Sequence, residues 1–272
     1  MSLVNNSILL GDSADLLADE TLFPSNSIDL IVTSPPYADR RKENYRSVSS
    51  KKYVEWFTPI SEQLYRVLKK RGSFILNIKE HTKNHERQTY VLELVLKLKE
   101  QGWLWIEEYC WYKKTAFPGH WRNKFRDSWE RCYHFSKQTD IKIYQDNVKV
   151  PIGSWSKERF LSKSKNDRKR LDSSSGSGLS RKVSNWHGKR KVYPSNVLEF
   201  APVTNNRSHS AAFPKELPAW FIKLLTRKGN VVLDPFIGSG TTAIAAKELG
   251  RQFVGIEIER KHLRIAEENL SH

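Results

Sequence analysis

Cysteine is nearly absent: Cys110 and Cys132 are the only two. Two thiols cannot build a disulfide framework or a four-thiolate zinc site, and they fit a reducing compartment. No metal site is expected. No run approaches the ~20 apolar residues that a membrane-spanning helix needs. The opening Met1-Ser2-Leu3-Val4-Asn5-Asn6 lacks the basic start and apolar stretch of a secretory signal. A soluble cytoplasmic protein with no membrane partner is therefore expected. Acidic residues are also scarce: 30 Asp and Glu stand against 46 Lys and Arg, for a formal net charge of +16. That excess favours a polyanionic partner, most simply nucleic acid.

What is present reads as alternating strands and helices. Strand-like runs are Ser7–Leu10, Ile28–Val32, Ser73–Ile78, Asn230–Leu233 and Gln252–Ile258. Helical spacing covers Ala14–Leu22, Tyr53–Lys70 (closed by Gly72), Tyr90–Gln101, Pro214–Thr226, Thr241–Leu249 and Glu259–Leu270. Residues 103–112 read as a strand pair or one bent strand. The rhythm predicts an α/β fold, a parallel sheet with helices on both faces. It breaks over 113–199, which reads as an insert between the segments 1–112 and 200–272. Inside it, Ser162 to Lys191 holds ten Lys and Arg against two Asp, around the run Ser173-Ser174-Ser175-Gly176-Ser177-Gly178.

Two segments carry chemistry. The first is Asp234-Pro235-Phe236-Ile237-Gly238-Ser239-Gly240-Thr241-Thr242, between a strand and a helix. Gly238 and Gly240 let backbone approach a ligand where a Cβ would collide, and the helix start offers unpaired N–H groups. Glu257, at the end of the next strand, suits ribose hydroxyls. No Lys follows the glycines, so this is not a phosphate loop. A carboxylate at Asp234 caps the strand end or meets a ligand ammonium.

The second is Thr33-Ser34-Pro35-Pro36-Tyr37, after the strand at Ile28–Val32. The two prolines fix the backbone and hold Ser34 and Tyr37 rigidly beyond the strand end. The Ser34 hydroxyl and Pro35 carbonyl are acceptors for an amino group, and Tyr37 offers a face for stacking on a base. Basic residues cluster elsewhere: Arg40 and Arg41 follow the turn, Lys113, Lys114, Arg122 and Lys124 interleave with aromatics, and Arg168, Lys169, Arg170, Lys189, Arg190 and Lys191 lie in the basic run. All are expected to face DNA phosphates, with salt-sensitive affinity.

Both segments resemble the amino-methyltransferases of DNA that use S-adenosylmethionine. Ser34-Pro35-Pro36-Tyr37 is similar to their catalytic motif, and Asp234-Pro235-Phe236-Ile237-Gly238-Ser239-Gly240 to their cofactor motif. The order, catalytic motif first, resembles the beta-ordered group, with a Rossmann-like sheet and an insert that reads the target sequence. The resemblance also implies that Asp12 lies near the cofactor and that Phe213-Pro214 closes its methionine side. It implies duplex DNA as substrate, a restriction endonuclease sharing the site as partner, and a monomer or weak dimer. A serine in first place resembles the N4-cytosine enzymes. N6-adenine enzymes of the same fold, an RNA amino-methyltransferase and an inactive basic DNA-binding module stay open as alternatives.

Overall fold

The computed structural model describes residues 5–39, 48–114, 119–120, 125–153, 190–203 and 213–271. An eight-stranded sheet is built from β1 (Ser7–Leu10), β2 (Ile28–Thr33), β3 (Leu68–Ile78), β4 (Leu104–Tyr112), β5 (Trp129–Ser136), β6 (Val197–Glu199), β7 (Val231–Asp234) and β8 (Gln252–Glu257). Its spatial order is β1-β8-β7-β2-β3-β5-β4-β6. Neighbours run parallel except at β5, which is antiparallel to both β3 and β4.

Side-chain alternation explains why both faces are covered. Ile31, Phe74, Leu76, Tyr133, Phe135, Leu233 and Val254 share one buried cluster with Leu17, Phe57, Leu64 and Leu94. Those four come from α1 (Ser13–Ala18), α2 (Tyr53–Val67) and α3 (Tyr90–Glu100). In α2, Tyr53, Phe57, Ile60, Leu64 and Val67 recur at three- and four-residue steps and are all buried. The alternate strand positions, such as Leu30, Ile75 and Val232, are equally buried. On that side Phe221 of α4 (Glu216–Leu225) lies 5.2 Å from the Tyr109 ring. Helix α4 packs on α5 (Thr241–Glu248), and α5 on α6 (Arg260–Ser271).

Two expectations shift. Gly72 does not end a helix but lies inside β3, where a Cβ would sit 2.9 Å from the Asp29 carbonyl oxygen. Helix α2 stops at Val67 because Leu68 turns extended, at ψ 136°. Of the two readings for 103–112, the structure takes the bent strand: Leu104–Tyr112 is one strand, bulged between Trp105 and Glu107. The stretch 113–199 is not wholly outside the sheet: β5 and β6 are drawn from it, and the compact second unit spans Gln145–Ser195. The remaining residues form the first unit. Within the second unit, Val150–Pro151 pairs antiparallel with Lys191–Val192, and the Tyr193 hydroxyl donates to Asp146 at 2.9 Å. No helix among the described residues is long and apolar enough to cross a membrane.

Candidate active site

Strands β2 and β7 are neighbours, with Leu233 opposite Ile31, so both motifs emerge side by side from the carboxyl edge of the sheet. A direct bond ties them. Thr33 Oγ1, one residue before the proline turn, donates to Asp234 Oδ1 at 2.6 Å across 201 positions of sequence.

Asp234 is 2% exposed. Its Oδ2 accepts from Thr242 Oγ1 at 2.6 Å, and its Oδ1 also accepts from the Phe236 N–H at 3.0 Å. The carboxylate therefore sits beneath the glycine loop with both oxygens engaged, so its role here is to hold the loop. Burial outweighs these bonds and pushes its pKa up to about 6.

Above it the loop turns through Gly238 (φ 54°) and Gly240 (φ 88°) and opens α5. Gly238 N–H donates to Glu257 Oε2 at 3.0 Å, and Glu259 N–H to Glu257 Oε1 at 2.9 Å. Burial raises the Glu257 pKa as well, against those bonds. Gly11 N–H donates to the Glu257 carbonyl at 2.9 Å, which places Asp12 beside that acid. Asp12 caps α1 by accepting from Ala14 N–H at 2.8 Å, and Ser13 Oγ donates to the Pro235 carbonyl. Phe236 packs on Trp56, ring centroids 5.6 Å apart. A cavity of about 430 Å³ opens between Asp12 and Lys52, Glu55 and Trp56, a volume suited to a small-molecule site. Ser239 and Thr241 hydroxyls face each other at 3.4 Å. Phe213 and Pro214 are buried at the entry to α4, which packs on α5.

Gly240 is required twice over. Its backbone is left-handed, and an added Cβ would lie 3.1 Å from Ala266 Cβ and 3.2 Å from Ala266 Cα. Gly229, at φ 80°, is left-handed in open space. Gly240→Ala should lower the unfolding free energy in urea by about 2–3 kcal/mol, and Gly229→Ala by only about 1 kcal/mol. Equal losses would show that packing against Ala266 contributes nothing.

The proline turn is anchored from several sides. Tyr53 Oη donates to the Pro36 carbonyl at 2.8 Å, Asp39 N–H to the Val48 carbonyl at 2.9 Å, and Ser50 Oγ to Asp39 at 2.9 Å. Ser34 remains partly exposed while Pro35 is buried. Tyr37 Oη donates to Glu130 Oε2 at 2.6 Å. Burial first, and then the Glu130 charge, raise the Tyr37 pKa well above the ordinary phenol range, so it remains a donor.

The basic residues divide. Lys113 is turned inward: its Nζ meets Glu130 Oε1 at 2.5 Å, so the structure gives it an internal ion pair instead of the phosphate contact expected. Lys114 is exposed and pairs with Glu199 at 3.2 Å. Arg190 and Lys191 are exposed in the second unit. Arg40, Arg41, Arg122, Lys124, Arg168, Lys169, Arg170 and Lys189 lie outside the described residues. Thr33 was named in the turn motif but given no role, and Glu130 was not singled out from sequence. Thr33 carried a signal, being the polar end of an otherwise apolar strand next to the turn. Glu130 carried none, since β5 mixes Glu, Arg, Cys and His with its aromatics.

A sheet of this order brings a glycine loop and a proline turn together at one edge, the arrangement of an α/β enzyme with its site at the strand ends. The DNA methylase family model that covers N6 and N4 enzymes matches residues 28–268, and the chain belongs to that family. The Type II methyltransferase M.BglII of Bacillus subtilis is 31% identical over 271 residues, covering 98% of this chain and 69% of that protein. The structure of the PvuII DNA methyltransferase (cytosine-N4-specific) superposes with TM-score 0.72 at 24% identity, covering 98% of this chain and 86% of that one. A putative DNA modification methylase from Thermus thermophilus, solved with S-adenosyl-L-methionine, gives TM-score 0.64 at 21% identity over 97% of this chain and 92% of that one.

Proposed function

We propose that this DNA methylase transfers the methyl group of S-adenosylmethionine to the exocyclic N4 amine of a cytosine flipped out of duplex DNA at a defined sequence. The observation that carries the reading is the Thr33–Asp234 bond, which fixes an amine-accepting turn beside a glycine loop. Ser34 in first place supports cytosine N4, as does the likeness to the PvuII enzyme, which is cytosine-N4-specific by name.

The residues present fit that cofactor. Asp12 has one carboxylate oxygen outside its helix cap for a hydroxyl or ammonium donor, and Glu257, whose oxygens each take one backbone N–H, keeps a second lone pair on each. Gly238 to Thr242 supply close backbone and a helix start, and Phe236 and Trp56 give aromatic surface beside the cavity. Phe213 and Pro214 would cover the methionine end. When bound, S-adenosylmethionine supplies an electrophilic methyl whose leaving group is a neutral thioether, so the protein needs no general acid.

The chain's own task is alignment. A cytosine amine is a poor nucleophile because its lone pair is delocalised into the ring. Ser34 Oγ and the Pro35 carbonyl accept its two N–H bonds and favour a pyramidal nitrogen with its lone pair directed at the methyl. Tyr37 stacks on the extruded base and offsets part of the few kcal/mol that flipping costs. Such positioning is worth up to ~7–11 kcal/mol of barrier. Solvent receives the proton, since an ordinary serine hydroxyl is a poor base. Target reading falls to the 113–199 segment, with Lys114, Arg190 and Lys191 among its exposed cations. A monomer suffices, and a restriction endonuclease cutting the same sequence is the expected partner.

The test is incubation with labelled S-adenosylmethionine and unmethylated genomic DNA, followed by nucleoside digestion and mass spectrometry. N4-methylcytosine is expected. N6-methyladenine would reassign the base and keep the site. Bound cofactor with no methylated base would overturn the reading.

A further inference from the structure

Glu130 is a buried carboxylate near the start of β5, at the sheet edge where the proline turn emerges. It is 8% exposed, and the next residues on its side of β5 are Cys132 and His134, both buried. Burying an ion there is costly, and an apolar residue of similar size would often serve the fold as well or better. Yet both of its oxygens are used: one takes the Lys113 ammonium at 2.5 Å, the other the Tyr37 hydroxyl at 2.6 Å. Lys113 is itself held, with its ammonium 5.0 Å from the centre of the Trp111 ring.

We propose that Glu130, fixed by Lys113, is a positioning residue that sets the Tyr37 ring in the orientation needed to stack on the target base. The inference rests on the methyltransferase reading above. A tyrosine ring has two free torsions, and backbone restraint from Pro35 and Pro36 acts on neither. A charge-assisted bond at the far end of the ring removes that freedom before the base arrives. The group never touches the reacting atoms. Its whole effect passes through the Tyr37 hydroxyl.

That path is tested by a double-mutant cycle on single-turnover methyl transfer. Tyr37→Phe and Glu130→Ala are each expected to slow the step by roughly 10- to 100-fold, the scale of a misplaced reacting partner. The double variant should be no slower than the slower single variant by more than about twofold, because Glu130 has nothing left to hold. Glu130→Gln, which keeps an acceptor for the phenol but loses the Lys113 pair, should fall between wild type and Glu130→Ala. Affinity for S-adenosylmethionine should stay within about twofold of wild type in all of them. Multiplicative losses, unchanged rates, or cofactor affinity falling in step with rate would each overturn the role. If Glu130→Ala does not fold, Lys113→Met with Tyr37→Phe forms the same cycle and is read the same way. A wild-type protein that methylates DNA while Glu130→Ala keeps its rate refutes Glu130 alone. A wild-type protein silent on DNA refutes the function, and this role with it.

Discussion

Tyr37→Ala is expected to slow single-turnover methyl transfer by about 10³-fold while the dissociation constant for S-adenosylmethionine moves by less than about threefold. Two losses combine. An aromatic ring stacked on a base is worth ~1–3 kcal/mol by alanine substitution, and the extruded base loses that support. A base free to tilt also misdirects its lone pair, and misplacement by about 1 Å costs on the order of 10²-fold. Cofactor affinity should stand apart because the ring points to Glu130 and not to the glycine loop. Ser34→Ala should cost about 10²-fold, the scale of one lost oxygen aimed at the reacting group, again without loss of cofactor. Stopped-flow or quenched-flow transfer, paired with equilibrium cofactor binding, separates the two readouts. If Tyr37→Ala lost cofactor binding and kept its rate at saturating cofactor, the turn would belong to the cofactor pocket and the role assigned to it would be wrong.

The second large effect concerns Asp234. Its pKa is pushed up to about 6 by burial, against an ordinary 3.8. The folded state therefore holds this proton more tightly than the unfolded chain does. Protonation stabilises the fold: the contribution is fully present below about pH 4 and is lost as pH rises through about 6. A shift of about two units corresponds to roughly 3 kcal/mol. Asp234→Asn keeps the shape and neutrality of the protonated acid. Its carbonyl accepts from Thr33 and Phe236, and its amide donates to the Thr242 hydroxyl. The stability of wild type minus that of Asp234→Asn should therefore fall by about 2 kcal/mol between pH 4 and pH 7, the rest of the roughly 3 kcal/mol lying below pH 4. The difference matters because His134 acts in the opposite sense over the same range. Burial lowers its pKa to about 4, so its contribution is present at neutral pH and is lost on acidification. Urea titrations of both proteins at pH 4, 5, 6 and 7 give the answer, and a pH-independent difference would show that the carboxylate is not desolvated as described. Asp234→Ala, by contrast, strands two threonine hydroxyls and the Phe236 N–H. It should cost several kcal/mol and weaken cofactor binding, because the loop keeps its Glu257 and Ser13 bonds but loses its central anchor.

Much of this site was legible because its parts are local. Two prolines in a row fix a turn wherever they occur, and glycines between a strand and a helix announce close backbone approach. Periodicity gave α2 and α3 because their buried residues follow one helix face. It missed β5, where Glu130, Arg131, Cys132 and His134 interrupt any apolar pattern. It also misjudged Lys113, since a lysine among aromatics reads the same whether it meets a phosphate or a buried carboxylate. Gly72 was misread for a similar reason: a glycine ending a helical run and a glycine crowded against a neighbouring strand look identical in sequence.

The sequence by itself determined that there are two motifs, that each sits at the end of a strand, and that their residue types suit an amine acceptor and a nucleoside-like ligand. Backbone chemistry over a few residues settles those points. Only the tertiary structure decided that β2 and β7 are neighbours, so that Thr33 reaches Asp234. It alone decided that β5 runs opposite to the rest of the sheet. A reversed strand begins where the parallel ones end, which brings Glu130 to the edge where Tyr37 emerges and where β4 delivers Lys113. Strand order and direction are set by packing across the whole sheet, a non-local sum that no short stretch of residues encodes.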